Sequence, residues 1–279
     1  MDAAIFMNSK VWEASGHVTE FHDPMVDCKN CKARFRADHI DLEKNCPTCG
    51  VKEWTDARQF NLMLKTHYGP SEDSSSVVYL RPETAQGIFV NFANAVTTSR
   101  AKLPFGIAQI GKAFRNEITT GNFLFRSREF EQMEMEFFVK PDETSEWLEY
   151  WSNARLDWYK SLGVTEKKLK LRLHEDNELA HYAAACFDVE YEFPFGWSEL
   201  EGIADRGSYD LDQHAQHSGK KLTWFDSKTN EHITPAVVEA SAGVDRTVLT
   251  ILVDAYHEEE VKGEQRVVLK LNPKVAPIT

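Results

Sequence analysis

The stretch PFGIAQIGKAFRNEITTGNFLFRSREFEQMEMEFFV, Pro104 to Val139, decides the fold. Two strand-like segments flank a short polar turn at Thr119–Asn122, with Arg115, Asn116 and Glu117 at its mouth and Arg126, Arg128 and Glu129 opposite. Alternate side chains of a strand share a face, so Phe130, Gln132, Glu134 and Glu136 point one way and Met133, Met135 and Phe137 the other. The apolar face belongs against a core. The acid-and-amide face needs partners wherever it is buried. Arginine forks at the turn match phosphate oxygens. Together these features point to a site for a nucleotide beside a cationic small molecule.

Outward from that stretch, 279 residues can bury a real core, as one large domain or two small ones. A hydrophobic content of 42% and a charged content of 27% fit a soluble globular enzyme. No apolar run reaches the length of a bilayer span, and the N-terminus lacks a signal-peptide pattern, so a soluble cytoplasmic protein without membrane partners is expected. The formal charge of −12 is the wrong sign for a general nucleic-acid binder. Local basic patches remain, with Arg100, Lys102, Lys112, Arg115, Arg126 and Arg128 as candidates.

Cys28-x-x-Cys31 and Cys46-Pro-Thr-Cys49 have the spacing of a zinc ribbon, and Gly50 suits the knuckle after Cys49. Four thiolates leave no open position, so a structural Zn2+ is expected; disulfides or unrelated thiols are the alternatives. Cys186 reads as a small buried hydrophobe. A helix is expected from Pro82, with Ala85, Ile88, Phe89 and Phe92 on its apolar side. Another is expected over 145–162, with Trp147, Trp151, Ala154, Trp158 and Leu162 on its core face and Gly163 as its stop. Residues 169–173 and 187–193 alternate like strands, and 236–241 reads as a strand entering a helix near Val244. His214 and His217 lie one turn apart near Asp210 but lack a third ligand, and read as a solvated helix face; His174 and His181 read as structural. Glu258–Glu260 reads as a solvated helix end. Hairpin strands with separate helices imply an α+β domain on an antiparallel sheet. Neither a P-loop nor a strand-coupled G-x-G-x-x-G is present.

Phe114-Arg-Asn-Glu117, the loop after it and Arg128-Glu-Phe-Glu-Gln-Met-Glu134 resemble motif 2 of the class II aminoacyl-tRNA synthetases, in the wording of glycyl-tRNA synthetases of the dimeric type. Arg81-Pro-Glu-Thr-Ala-Gln-Gly87 and Glu199-Leu-Glu-Gly202 agree with that family, and Glu239-Ala-Ser-Ala-Gly-Val-Asp-Arg246 resembles its motif 3. The resemblance runs over nearly the whole chain. It implies an α+β fold, a class II synthetase-like antiparallel β-sheet flanked by helices, with a small zinc-ribbon insertion. The domains implied are a catalytic core over 1–265, the ribbon at 26–52 within it, and a stub toward an anticodon-binding domain at 266–279. The activity implied is ATP-dependent activation of glycine to glycyl-adenylate and transfer to tRNA(Gly), with ATP and Mg2+ beside Zn2+.

Residue by residue, the resemblance gives Arg115 and Arg246 catalytic roles on the α- and γ-phosphates. It assigns ATP to Arg115, Asn116, Glu117, Phe125, Arg126, Ser127, Arg128, Glu129, Phe130, Glu199, Leu200, Gly243, Val244, Asp245 and Arg246. Glycine falls to Arg36, Glu83, Phe130, Glu131, Gln132, Met133, Glu134, Glu239, Ala240, Ser241, Ala242 and Gly243. Carboxylates are the natural partners of its ammonium, and Ser241 fills the space a β-carbon needs. In the family, a motif 1 that forms the homodimer interface precedes the region where this sequence starts, and the anticodon domain follows the region where it stops. Weaker tRNA binding and a weakened dimer are therefore expected. Ala240 stands where the family carries proline, which predicts a modest loosening of Glu239 and Ser241. Activation of a small amino acid for a non-tRNA acceptor, and a non-catalytic binding module, are the alternatives.

Overall fold

The decisive stretch forms two neighbouring strands, β1 (Phe105–Phe114) and β2 (Glu129–Val139), in a computed structural model that describes all residues except Asp176, Pro277 and Thr279. The connection is longer than the expected Thr119–Asn122 turn. It occupies 115–128, with a 3-10 turn at Phe123–Phe125 and a bridge between Gly121 and Arg126. Asn122 and Phe123 both take positive φ, so the chain coils here and cannot continue the pleat.

Four further strands, β3 (Leu169–Leu173), β4 (Ala185–Phe193), β5 (Gly196–Gly207) and β6 (Ala236–Gly243), complete a six-stranded sheet in the order β1-β2-β6-β5-β4-β3. The ladders from β2 to β3 are antiparallel. Five helices accompany the sheet: α1 (Ala85–Val90), α2 (Phe92–Ser99), α3 (Thr144–Ser161), α4 (Tyr209–Ser218) and α5 (Val244–Ala255). The expected α+β class and the antiparallel sheet are both present.

Each face of this sheet has its own cover. Phe138 and Val237 pack in one cluster with Ala85, Ile88, Phe89 and Phe92 of α1 and α2 and Leu211 of α4. Phe137, on the opposite face, meets Trp147 and Trp151 of α3 at ring distances of 4.7 and 5.2 Å. Burial of such side chains stabilises by ~1.5–3 kcal/mol each. Along β2 the first face turns from apolar at Phe138 to acidic at Glu136 and Glu134.

Several local expectations are corrected. The helix from Pro82 is two helices that start at Ala85 and break at Asn91. On α3 the fully buried line is Leu148, Ser152 and Tyr159, one residue round from the tryptophan stripe, whose indoles are only half-buried. Glu258–Glu260 sits in a hairpin of Tyr256–Val261 with Glu264–Leu269, not at a helix end. His214 is buried, with Nε2 2.7 Å from Gln86 Oε1, so α4 does not present it to solvent.

The chain divides into two compact units, one of residues 1–3, 84–111 and 131–279, the other of 4–83 and 112–130. The first holds most of the six-stranded sheet and all five helices. Within the second are two small three-stranded sheets, the cysteine segment and the arginine loop. Among the described residues no helix is long and apolar enough to cross a membrane.

Candidate functional site

Register builds the acid face of the first unit. β2 and β6 pair Glu136 with Glu239, Glu134 with Ser241 and Gln132 with Gly243, so these side chains line one face in rows. Met133, Ala240 and Ala242 alternate to the other face; what Ala240 can change here is backbone, not a wall. Glu134 is buried and accepts hydrogen bonds from Thr84 N–H at 2.6 Å, Thr84 Oγ1 at 2.5 Å, Gln132 Nε2 at 2.6 Å and Ser241 Oγ at 2.8 Å. Hydrogen bonds to a charged group contribute ~1.5–3 kcal/mol each, so its position is well held.

Glu239 is held by a residue the sequence reading missed. Arg206, 1% exposed at the end of β5, donates Nη1 to Glu239 at 2.9 Å, and Nε and Nη2 to Asp210 at 2.7 and 3.0 Å. Its guanidinium lies 3.8 Å from the Tyr182 ring centroid. Gln86 passes the chain on, donating to Asp210 at 2.8 Å and meeting His214. Arg206 ends a strand and Asp210 opens α4, so the four-residue spacing spans a strand-to-helix turn, and only the folded chain joins the pair. Glu136 differs from its neighbours: it is fully buried, and neither carboxyl oxygen has a hydrogen-bond partner. Burial first, then the Glu239 carboxylate, push it well above the ordinary carboxylate range.

At the far end of β6, Arg246 on the first turn of α5 donates Nη1 to the Glu199 carbonyl at 2.8 Å and lies 3.6 Å from its carboxylate. Leu200 beside Glu199 is a core residue, 1% exposed. Asp245 is occupied structurally, accepting the Glu131 N–H at 2.6 Å, and thereby fixes the start of the acid strand. Gly243 caps α5 without a side-chain bond, and Val244 begins it.

In the second unit the arginines are organised on backbone carbonyls. Arg115 donates Nε to Pro82 O at 3.0 Å, and its guanidinium is 5.4 Å from the ring centroids of both Phe21 and Phe130. Its N–H bonds Arg128 O, and the Asn116 N–H bonds Leu62 O. Glu117 pairs with Arg126 at 3.5 Å, while its carbonyl accepts both Nε and Nη2 of Arg128. Ser127 bonds the Glu129 carbonyl, and Phe125 closes the 3-10 turn. Glu83 lies 3.3 Å from His17 Nε2. Arg36 is already engaged by Asp23 at 2.8 Å and Asp38 at 2.7 Å.

The two C-x-x-C segments fold into matched knuckles. Lys32 and Gly50 both take positive φ, and each returns its N–H to the first cysteine's carbonyl, Lys32 to Cys28 at 2.9 Å and Gly50 to Cys46 at 2.8 Å. All four sulfurs converge, with Cys28–Cys49 at 3.6 Å and Cys31–Cys46 at 3.7 Å. Zn–S bonds of about 2.3 Å in a tetrahedron give S–S edges of roughly 3.75 Å, so the cluster has the size of a structural zinc site. Hydrogen bonds from Asn30 and then the Val51 N–H pull the Cys49 thiol down to about 6, while Cys31 beside it is pushed up to about 12, so the thiols of the cluster share their protons. Burial, then Asp188, push the Cys186 thiol up to about 12, so it is no free nucleophile at neutral pH.

Residues 68–255 match the family model of the class II tRNA synthetase core domain (G, H, P, S and T). A glycine–tRNA ligase from Borreliella burgdorferi (strain ZS7) is 58% identical over 99% of this chain and 63% of its own. Another from Caldanaerobacter subterraneus subsp. tengcongensis is 53% identical, over 100% of this chain and 66% of its own. A third, from Treponema denticola, is 56% identical over 100% and 64%. The chain thus spans a little under two thirds of the length of these curated relatives. Among solved structures, prolyl-tRNA synthetase from Cryptosporidium parvum, complexed with halofuginone and AMPPNP, superposes with a TM-score of 0.60 at 14% identity, covering 90% of this chain and 42% of that one. At that identity the likeness speaks for the fold alone.

Proposed function

The chain belongs to the class II tRNA synthetases, in the core-domain family of the G, H, P, S and T enzymes, and on that premise we propose that it activates glycine with ATP and passes the glycyl group to tRNA(Gly). One observation carries the amino-acid half. Glu134, Glu136, Glu239 and Asp210 are all buried in the first unit, and Arg206 is the guanidinium buried among them. Carboxyls gathered this closely favour a bound cation or a proton on one of them. An ammonium meets that demand, and the absence of a side chain on glycine suits a face already crowded by Ser241 and Gln132.

In the reaction proposed, a glycine carboxylate oxygen attacks the α-phosphorus of ATP. A new C–O–P linkage forms as the bond to the β-phosphate bridging oxygen breaks, and pyrophosphate leaves. Positioning and charge neutralisation do most of such chemistry. Glu134 and Glu239 take the ammonium, with Glu83 assigned to the same group. Arg115 takes the carboxylate and α-phosphate; Pro82 and the two phenyl rings already orient it. Arg246 takes the γ-phosphate at the start of α5, where the helix dipole also favours an anion. Mg2+ would neutralise phosphate charge, with Glu199, its side chain 54% exposed, as the hard oxygen donor. Cys28, Cys31, Cys46 and Cys49 would hold Zn2+, which would supply folding energy to the ribbon and no chemistry. The second half-reaction moves the glycyl group from the adenylate to a terminal ribose hydroxyl of tRNA, which takes its place as AMP leaves.

The test is ATP–pyrophosphate exchange on zinc-loaded protein with glycine, alanine and serine. Exchange with glycine alone is expected. Equal exchange with alanine would refute the size filter, and no exchange with any of them would remove the proposed activity from this chain.

A further inference from the structure

Elsewhere on the acid-bearing face lies a second group of ligand-type side chains. β3 and β4 pair Leu173 with Phe187 and Arg172 with Asp188. One residue further the register sets His174 opposite Cys186, and the His174 N–H donates to the Cys186 carbonyl at 2.9 Å. Cross-strand opposites and residues two apart share a face, so His174, Cys186 and Asp188 project together. On β5, Ala204 stands opposite Cys186 and Gly202 opposite Asp188, so the neighbouring strand raises no bulky side chain beside the cluster.

The ligand atoms of the three residues, a ring nitrogen, Sγ and a carboxylate oxygen, lie within 4.8 Å of one another. His174 Nε2 is 2.7 Å from Asp188 Oδ2, yet both ring nitrogens are buried and neither has a hydrogen-bond partner. Imidazole and carboxylate thus already face one another, and the ring's second nitrogen, Nδ1, is buried without a partner. Arg172 Nη2 holds the same Asp188 oxygen at 3.1 Å, the kind of outer partner that orients a ligating carboxylate. We propose that His174, Cys186 and Asp188 form a second metal site, separate from the four-cysteine cluster, for a borderline divalent cation of the zinc type. Imidazole, thiolate and carboxylate together select such an ion over Mg2+ or Ca2+, which take oxygen alone. Ligand lengths of about 2.0–2.3 Å give edges of roughly 3.3–3.8 Å, so His174 Nε2 and Asp188 Oδ2, 2.7 Å apart, would part by roughly half an ångström to hold the ion. Three protein ligands leave the fourth position to water.

This site rests on sheet register and is independent of the glycine reading. Zinc counted by mass spectrometry on the whole, desalted chain should give two equivalents in the wild type and one in His174→Ala and in Cys186→Ser, with the melting temperature retained. One equivalent in the wild type, or two kept by both variants, overturns it. If the variants do not fold, Co2+ titration of the wild type decides. Two phases are expected, one with the strong thiolate charge-transfer bands of four sulfurs and one much weaker. A single phase overturns the proposal.

Discussion

The acid face of the first unit and the arginine loop of the second carry opposite charge and are held in opposite ways. Glu134, Glu239 and Arg206 sit on strands or at their ends, almost fully buried, and are held through side chains, Glu239 by Arg206 and Glu134 by Ser241. Arg126 and Arg128 hang on one residue, Glu117, with side chains that remain partly exposed. Buried charge is costly to strand, whereas exposed charge is cheap to change. The face should therefore break as structure and the loop as chemistry.

The largest effect is expected at Arg206. Arg206→Leu leaves Glu239 and Asp210 without their shared guanidinium and should cost ~3–5 kcal/mol of unfolding free energy in urea titration. A variant within error of wild type would dissolve the contrast. Next comes Arg115→Ala, which should lower glycine-dependent pyrophosphate exchange about 10²–10³-fold, the scale for losing one donor to developing charge, with the fold retained by circular dichroism. Loss of the fold there would place the loop with the face.

Glu136 sharpens the comparison through pH. Its folded pKa is raised above 4.5, so between 4.5 and the raised value the folded state keeps a proton that the unfolded state has lost. Stability therefore falls as pH rises through that window, by up to about 1.4 kcal/mol per unit. Glu136→Gln removes the slope: its melting temperature should exceed that of wild type at pH 8, with the gap shrinking toward pH 5. The smallest effect belongs to Arg126→Ala, a partly exposed pair worth ~1 kcal/mol or less in stability, seen mainly as a raised KM for ATP.

Much of this was legible because alternation and spacing are local. The two faces of 130–137, the strands at 169–173 and 187–193, the entry from β6 into α5 and the convergence of four cysteines all follow from periods of two residues or from C-x-x-C spacing. The loop at 115–128 was not, since its extent depends on two residues held at positive φ. Nor was the hairpin at 256–269, where a charge run looks the same on a helix end as on an exposed strand. Arg206 escaped because its worth lies in partners 4 and 33 residues away.

The sequence alone determined the sheet class, the composition of its acid strand and the family to which the motifs point. These are properties of neighbouring residues, carried by side-chain alternation and fixed spacing. Only the tertiary structure decided which acids share a row, which of them have partners and which is left bare. Register between β2 and β6 puts Glu136 against Glu239, and burial there turns two ordinary glutamates into one paired and one unpaired group. Pairing and desolvation belong to the assembled sheet, and no single strand contains them.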